Sequence, residues 1–90
     1  MKIIYEKQFR TALKDISTHI ARDKLSASQS FKKELKKRFE LIAQNPKMCR
    51  ASEYYENDNY RDLIFMGYTA IYKIEDDVIK VLDIFKWVDR

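Results

Sequence analysis

Arg61 and Thr69 flank Gly67, the single glycine among 90 residues, in the run YRDLIFMGYTAIYKI at positions 60 to 74. A guanidinium projecting from such a run has two chemistries open to it. It neutralises a neighbouring acid, here Asp83, or it holds a phosphate through two parallel N–H donors. Cys49 stands near Lys47 and Arg50, cations of the kind that lower a thiol pKa, although no base is paired with it; the alternative is an inert loop or core thiol. His19 is the only histidine, so a two-histidine acid–base pair is excluded, and it lies at the margin of an apolar stripe. Glu75, Asp76 and Asp77 carry charge enough to attract a cation. Nothing in the chain supplies the remaining ligands, so a charged hairpin turn is expected there.

Binding chemistry is spread more widely. Lys32, Lys33, Lys36, Lys37 and Arg38 crowd one segment, either as a solvated face or as a face for an acidic partner. They lack the interleaved aromatics that would mark a nucleic-acid surface. Tyr54, Tyr55 and Tyr60 flank an otherwise polar stretch, where they cover the edge of a core or offer stacking surfaces. The chain closes on Phe85, Lys86, Trp87 and Arg90, residues that either line a concave surface or cap a sheet.

Several elements must position these groups. Lys2 to Tyr5 is a short apolar stretch that reads as a first strand. Phe9, Ala12, Leu13, Ile16, Ile20 and Leu25 recur at spacings of three and four, the mark of one helical face. Ser26 with Gln29 has the form of a capping box opening a second helix, whose apolar face is Phe31, Leu35, Phe39 and Ile42. Asn45-Pro46 ends it, because the residue before proline avoids the helical region. With almost no linker, the two helices form an antiparallel hairpin. Residues 47–59 read as a loop with at most a short extended piece. Period two then takes over. Arg61 to Met66 and Tyr68 to Ile74 are strands joined at Gly67, and Val78 to Phe85 is a further strand after the acidic turn. The predicted class is α+β, in the order β-α-α-β-β-β. One face of an antiparallel sheet packs on the helix pair, and the other is open to solvent or a partner.

Ninety residues make one domain, 1–90, able to fold alone. Hydrophobic residues at 46% and charged residues at 36% exclude a disordered tail. One cysteine excludes an internal disulfide, and no Cys/His spacing suits zinc. The N-terminal MKIIYEK lacks the apolar run of a signal peptide or membrane span, so the expected compartment is the cytoplasm. The net charge is +4, with residues 26–50 carrying seven basic against two acidic groups and residues 51–59 three acids and no base.

Taken together, FRTALKDISTHI (9–20), LIAQNPKMCR (41–50), YRDLIFMGYTAIYKI (60–74) and IKVLDIF (79–85) resemble the RelE/ParE superfamily of bacterial toxins from type II toxin–antitoxin modules. The resemblance covers nearly the whole chain. It implies neutralisation by a cognate acidic antitoxin that folds on contact, with operator DNA reached only through that antitoxin. No cofactor, metal or membrane comes with it. It also implies one of two targets. Relatives of one branch cleave mRNA on the ribosome without metal, by attack of a ribose 2′-OH on the adjacent phosphate, which needs a proton acceptor, cations for the phosphorane and a donor for the leaving oxygen. Relatives of the other branch poison DNA gyrase and need no such constellation.

Residue by residue, Arg61 matches the strand arginine of the family and Arg50 the basic residue after the helix-ending proline. Thr69 stands where a second strand arginine would be. Lys86 and Trp87 stand where the cleaving branch has His or Tyr, and lysine serves as acid or base there only with a strongly depressed pKa. The nuclease set, Arg61, Arg50 and Lys86, is incomplete. A toxin acting on gyrase or another protein is therefore expected, with a ribosome-dependent mRNA interferase as the alternative. Lys32, Lys36, Lys37, Arg38, Tyr60, Trp87 and Arg90 are the expected antitoxin- or target-binding residues.

Overall fold

A computed structural model describes residues 1–86 of the chain. The elements are β1 (Lys2–Tyr5), α1 (Lys7–Asp23), α2 (Leu25–Gln44), β2 (Arg50–Ala51), β3 (Tyr60–Phe65), β4 (Tyr68–Glu75) and β5 (Val78–Lys86). They form one five-stranded sheet in the order β1-β5-β4-β3-β2, with the helix pair on one face. The order of helices and strands follows the expectation, with two additions. The extended piece in the loop is β2, two residues long. The sheet is also only mostly antiparallel: β1 runs parallel to β5, in the register Lys2↔Val78 to Tyr5↔Val81. Sequence periodicity gives no strand direction, and here the whole intervening chain serves as the crossover that a parallel pair requires.

The helix hairpin turns on one residue, Lys24, which caps both helices in an extended conformation. This corrects the capping box. Helix α2 starts at Leu25, so Ser26 is already inside it and no side chain caps its N-terminus. Leu25 does not extend the stripe of α1 into the core either; it is largely exposed. The buried polar fastening lies one turn on, where the Ser28 hydroxyl donates to the Ser17 carbonyl at 2.8 Å. Two buried small residues let the helices approach there.

The predicted face of α2 is the buried one: Phe31, Leu35, Phe39 and Ile42 are all in the core, with Phe9 from α1. They meet Leu63, Phe65, Ala70, Tyr72, Ile79, Val81 and Ile84 from the sheet. Aromatic edges lock the layers together. Phe39 stands edge-on to Phe9 at 6.0 Å and to Tyr72 at 6.3 Å, and Phe31 meets Phe65 at 5.3 Å. Each such contact adds about 0.5–1.5 kcal/mol to the burial itself.

The β3–β4 hairpin closes through two residues, since Phe65 pairs with Tyr68. Met66 at φ 49° and Gly67 at φ 83° are both left-handed, as a turn matching the sheet twist requires. Gly67 thus does what its isolation suggested. The second turn, Asp76-Asp77, is the charged hairpin expected, with Asp76 at φ 53° and Glu75 holding Lys73 and Lys80 at 3.2 Å each.

Candidate functional site

Strand alternation sends Arg61, Leu63 and Phe65 to the helix side of β3, and Asp62 and Ile64 to the outer side. Arg61 is opposite Tyr72 of β4, and both reach into the loop that follows α2. The Tyr72 hydroxyl donates to the Pro46 carbonyl at 2.7 Å. The Arg61 guanidinium donates to the Cys49 carbonyl at 3.0 Å, to the Asp58 carbonyl at 2.9 Å and to the Asp58 carboxylate at 3.0 Å. Arg61 retains only 9% of its surface. Its acid is therefore Asp58, not Asp83. The register puts Asp83 opposite Ile71, on the outer face and beyond β4.

The outer face is less open than alternation alone predicts. After β2 the chain crosses it, fastened by three contacts: the Glu53 amide donates to Asp62 at 3.0 Å, Tyr54 stands edge-on to Phe85 at 5.2 Å, and Tyr55 stacks on Tyr60 at 4.2 Å. Thr69 lies opposite both Ile64 and Phe85, and is completely buried. Its hydroxyl and one carboxylate oxygen of Asp62 have no hydrogen-bond partner among the described residues. Segment 52–59 acts as a strap over the face that composition had left open.

The three residues of the nuclease set do not converge. Arg50 lies on the outer face, where it contacts Asp62 at 3.5 Å and Glu53 at 3.1 Å. Arg61 lies on the helix side, with its guanidinium committed to the loops. Lys86 is exposed at the far end of β5, opposite Tyr68, in a cleft it shares with His19 and Asp15 of α1. Arg61 pairs with Tyr72 and Lys86 with Tyr68, so Lys86 stands four residues of β4 further along, about 13 Å at the rise of a strand.

The binding candidates also divide. Lys32 and Lys36 flank a narrow cleft toward α1 with Tyr5, Phe9 and Leu13. Lys37 pairs with Glu34 at 3.5 Å. Arg38 lies on another side of α2, 5.8 Å over the ring of Phe65. Tyr60 is stacked on Tyr55 and lies beneath the Lys73 ammonium. Trp87 and Arg90 lie outside the described residues.

Cys49 is half-buried beside Tyr72, and burial raises its thiol pKa. Lys47 and Arg50 do not activate it; the cations that act on it are Arg38 and Arg61, and burial outweighs them. Tyr72 is likewise pushed well up, first by burial and then by its contact with Cys49. No group of three or more His, Cys, Asp or Glu is placed to hold a metal ion among the described residues.

Sequence reading missed Asp58, Asp62 and Tyr72. Asp62 was within reach, since an acid alternating with Ile64 and adjoining Arg61 is bound to the opposite face. The role of Asp58 was not, because a loop without period carries no signal of what it folds onto.

The order of helices and strands is shared with known proteins. The profile described as "ParE toxin of type II toxin-antitoxin system, parDE" matches residues 3–86. The chain belongs to the ParE toxin family. Nine solved chains are significantly similar in structure. One of them, described as "Chromosomal ParDE TA system from P. aeruginosa", superposes with a TM-score of 0.78 at 15% identity, over 98% of this chain and 97% of the other. At that identity the structural likeness supports the fold alone. No curated protein is significantly similar in sequence. As a ParE toxin of a parDE system, the chain has a cognate ParD antitoxin as its implied partner. No helix among the described residues is long and apolar enough to cross a membrane.

Proposed function

We propose that this toxin arrests growth in the cytoplasm by engaging a protein target, DNA gyrase first, and that it does not cut mRNA. The observation that carries this reading is the state of the two positions where strand arginines would meet a phosphate. Arg61 gives its donors to two carbonyls and Asp58. Thr69 is neutral, buried, and flanked by Ile64 and Phe85 under the strap. A phosphorane needs unspent cations aimed at its oxygens, and the sheet offers none at either position. Lys86 is exposed at the far end of β5 and stands at neither position. Poisoning a protein target makes no such demand. A cognate acidic antitoxin would neutralise the toxin and bring it to operator DNA.

The test pairs two measurements after the toxin is induced without antitoxin. Transcript 5′ ends are mapped, and purified toxin is added to gyrase with relaxed plasmid and ATP. The expected result is intact transcripts with supercoiling inhibited or cleaved plasmid accumulating. New 5′ ends inside translated codons would overturn the reading in favour of the mRNA interferase. Arrest with intact transcripts and unaffected gyrase would refute gyrase as the target.

A further inference from the structure

Residues 7–44, which form both helices, carry ten basic and four acidic side chains, while the rest of the chain carries eight basic and ten acidic. Lys7, Arg10 and Lys14 recur on α1 at spacings of three and four, and so form one row along it. Lys32 and Lys36 form a second row on α2, with Lys33 beside them. The rows adjoin, because Lys32 and Lys36 flank the cleft that α2 shares with Phe9 and Leu13, the residues just before Arg10 and Lys14. All six cations are exposed. None of them takes part in an ion pair among the described residues, where the paired cations are Lys37, Lys47, Arg50, Arg61, Lys73 and Lys80. Of the acids on the helices, Asp15 lines the cleft beside β5, Asp23 ends α1 and Glu34 is held by Lys37. Glu40, one turn beyond Lys36, and the half-buried Glu6 border the rows.

The kind of partner follows from the makeup of this face. Protein interfaces are anchored by apolar and aromatic side chains, and none of the exposed large apolar residues stands among these six. The cleft between the rows has a volume of about 50 Å³, too small to take such an anchor. A single strand of nucleic acid calls for exposed aromatic rings on which bases stack. A duplex backbone asks only for cations. Packed helices stand about 8–10 Å apart, between the widths of the minor and major grooves, about 6 and 12 Å. Each row can therefore reach one strand across a groove. From this juxtaposition we infer that the outer face of the helix hairpin is a duplex-DNA site, held through the phosphate backbone without regard to sequence. The contact rests on these residues alone. Its source, the duplex that DNA gyrase holds, rests on the target reading above, and a toxin bound there touches the enzyme and its DNA together.

Fluorescence anisotropy of labelled duplexes of two unrelated sequences, titrated with toxin free of antitoxin across a range of salt, tests the inference. Both duplexes bind alike, and the logarithm of affinity falls against the logarithm of salt with a slope of about −3 to −5. Lys32→Gln with Lys36→Gln lowers that slope by about 2 and weakens binding at least about tenfold, in a protein whose circular dichroism matches the parent. Arg10→Gln with Lys14→Gln does the same from the other row. The control is Lys73→Gln with Lys80→Gln, which removes the same charge from the outer face of the sheet, where both lysines already hold Glu75. It changes affinity by less than about twofold. Failure to bind at about 50 mM salt overturns the inference, as does an equal loss in the control, which would make net charge the cause. Tighter binding of a single strand than of the duplex overturns it too. So does a Lys32→Gln, Lys36→Gln protein that loses antitoxin affinity while holding DNA as before. In the gyrase assay the same double variant needs about tenfold more toxin for equal inhibition, in step with its lost DNA affinity; equal potency would sever the site from the target. Wild-type toxin that binds the duplex through these rows and leaves gyrase untouched refutes the target reading and keeps the DNA site.

Discussion

Replacing Arg61 by alanine separates a fastening role from a catalytic one. The side chain is nearly buried and makes three hydrogen bonds, two to carbonyls of different loops and one to Asp58. Its removal leaves the Cys49 and Asp58 carbonyls short of a donor. At about 1–3 kcal/mol per unsatisfied buried group, and less where water can enter beside Asp58, the cost is about 2–4 kcal/mol. For a domain of this size that lowers Tm by about 10–25 °C. Asp58→Ala is the control. The Asp58 side chain is 69% exposed, and its carbonyl survives the substitution, so the loss is at most about 1 kcal/mol. Thermal unfolding followed by circular dichroism, on toxin refolded free of antitoxin, measures both. The fastening account predicts the order wild type, Asp58→Ala, Arg61→Ala, with toxicity at low temperature lost only in step with the unfolded fraction. An Arg61→Ala protein that melts with the wild type and yet arrests nothing would refute it, and would return Arg61 to the active surface.

Thr69→Val should stabilise the fold by about 1–2 kcal/mol, because it removes a buried hydroxyl without a partner among the described residues while preserving shape; a lower Tm would show that the hydroxyl is satisfied after all. Gly67→Ala should cost about 1–2 kcal/mol in chemical denaturation. A Cβ there meets nothing within 4 Å, so the whole cost is the φ of 83°, and a neutral result would mean the turn relaxes. Stability should also fall in alkali. The folded state keeps Tyr72 and Cys49 protonated at a pH where the unfolded chain releases those protons. The stabilisation is therefore complete below the ordinary thiol value and shrinks as pH rises through about 9 to 10 and beyond. Denaturant midpoints from pH 7 to 11 should decline for the wild type and decline less for Tyr72→Phe with Cys49→Ser. Finally, burial and a raised pKa should make Cys49 react with a thiol reagent at neutral pH more slowly than a free thiol, and at the free-thiol rate only in denaturant.

Much of this architecture was legible because periodicity reports burial directly. Phe31, Leu35, Phe39 and Ile42 recur at helical spacing, and all four are buried in the core. Gly67 marked a hairpin because few side chains tolerate its φ, and the strands on either side carry the β-branched and aromatic residues that sheets favour. What stayed hidden depends on contacts between residues far apart in sequence without a period of their own. Helix α2 starts one residue before the capping signal because the turn at Lys24 and the Ser28–Ser17 bond set the start. The direction of β1 is a property of the assembled sheet. Arg61 could equally have met Asp83 or Asp58, and only the register, one strand to the side and one face over, separates them.

The same register bears on target choice. A strand arginine can serve a ligand only if its neighbours leave its donors unspent, and the loop between Pro46 and Asn59 has no regular structure of its own apart from β2. Its carbonyls still need partners. Arg61 and Tyr72, adjacent across β3 and β4, supply them at Cys49, Asp58 and Pro46. With that loop in place the strap is drawn over Thr69, and a long cationic side chain there would have to displace Tyr54 from Phe85. The neutral, buried residue at position 69 and the commitment of the cation at position 61 thus belong to one arrangement. Placing a charge at 69 alone should therefore unseat the strap without creating a phosphate site. Thr69→Arg is expected to expose Phe85 and lower Tm while transcripts stay intact, and any cleavage by that single variant would show that Arg61 is free to leave its carbonyls.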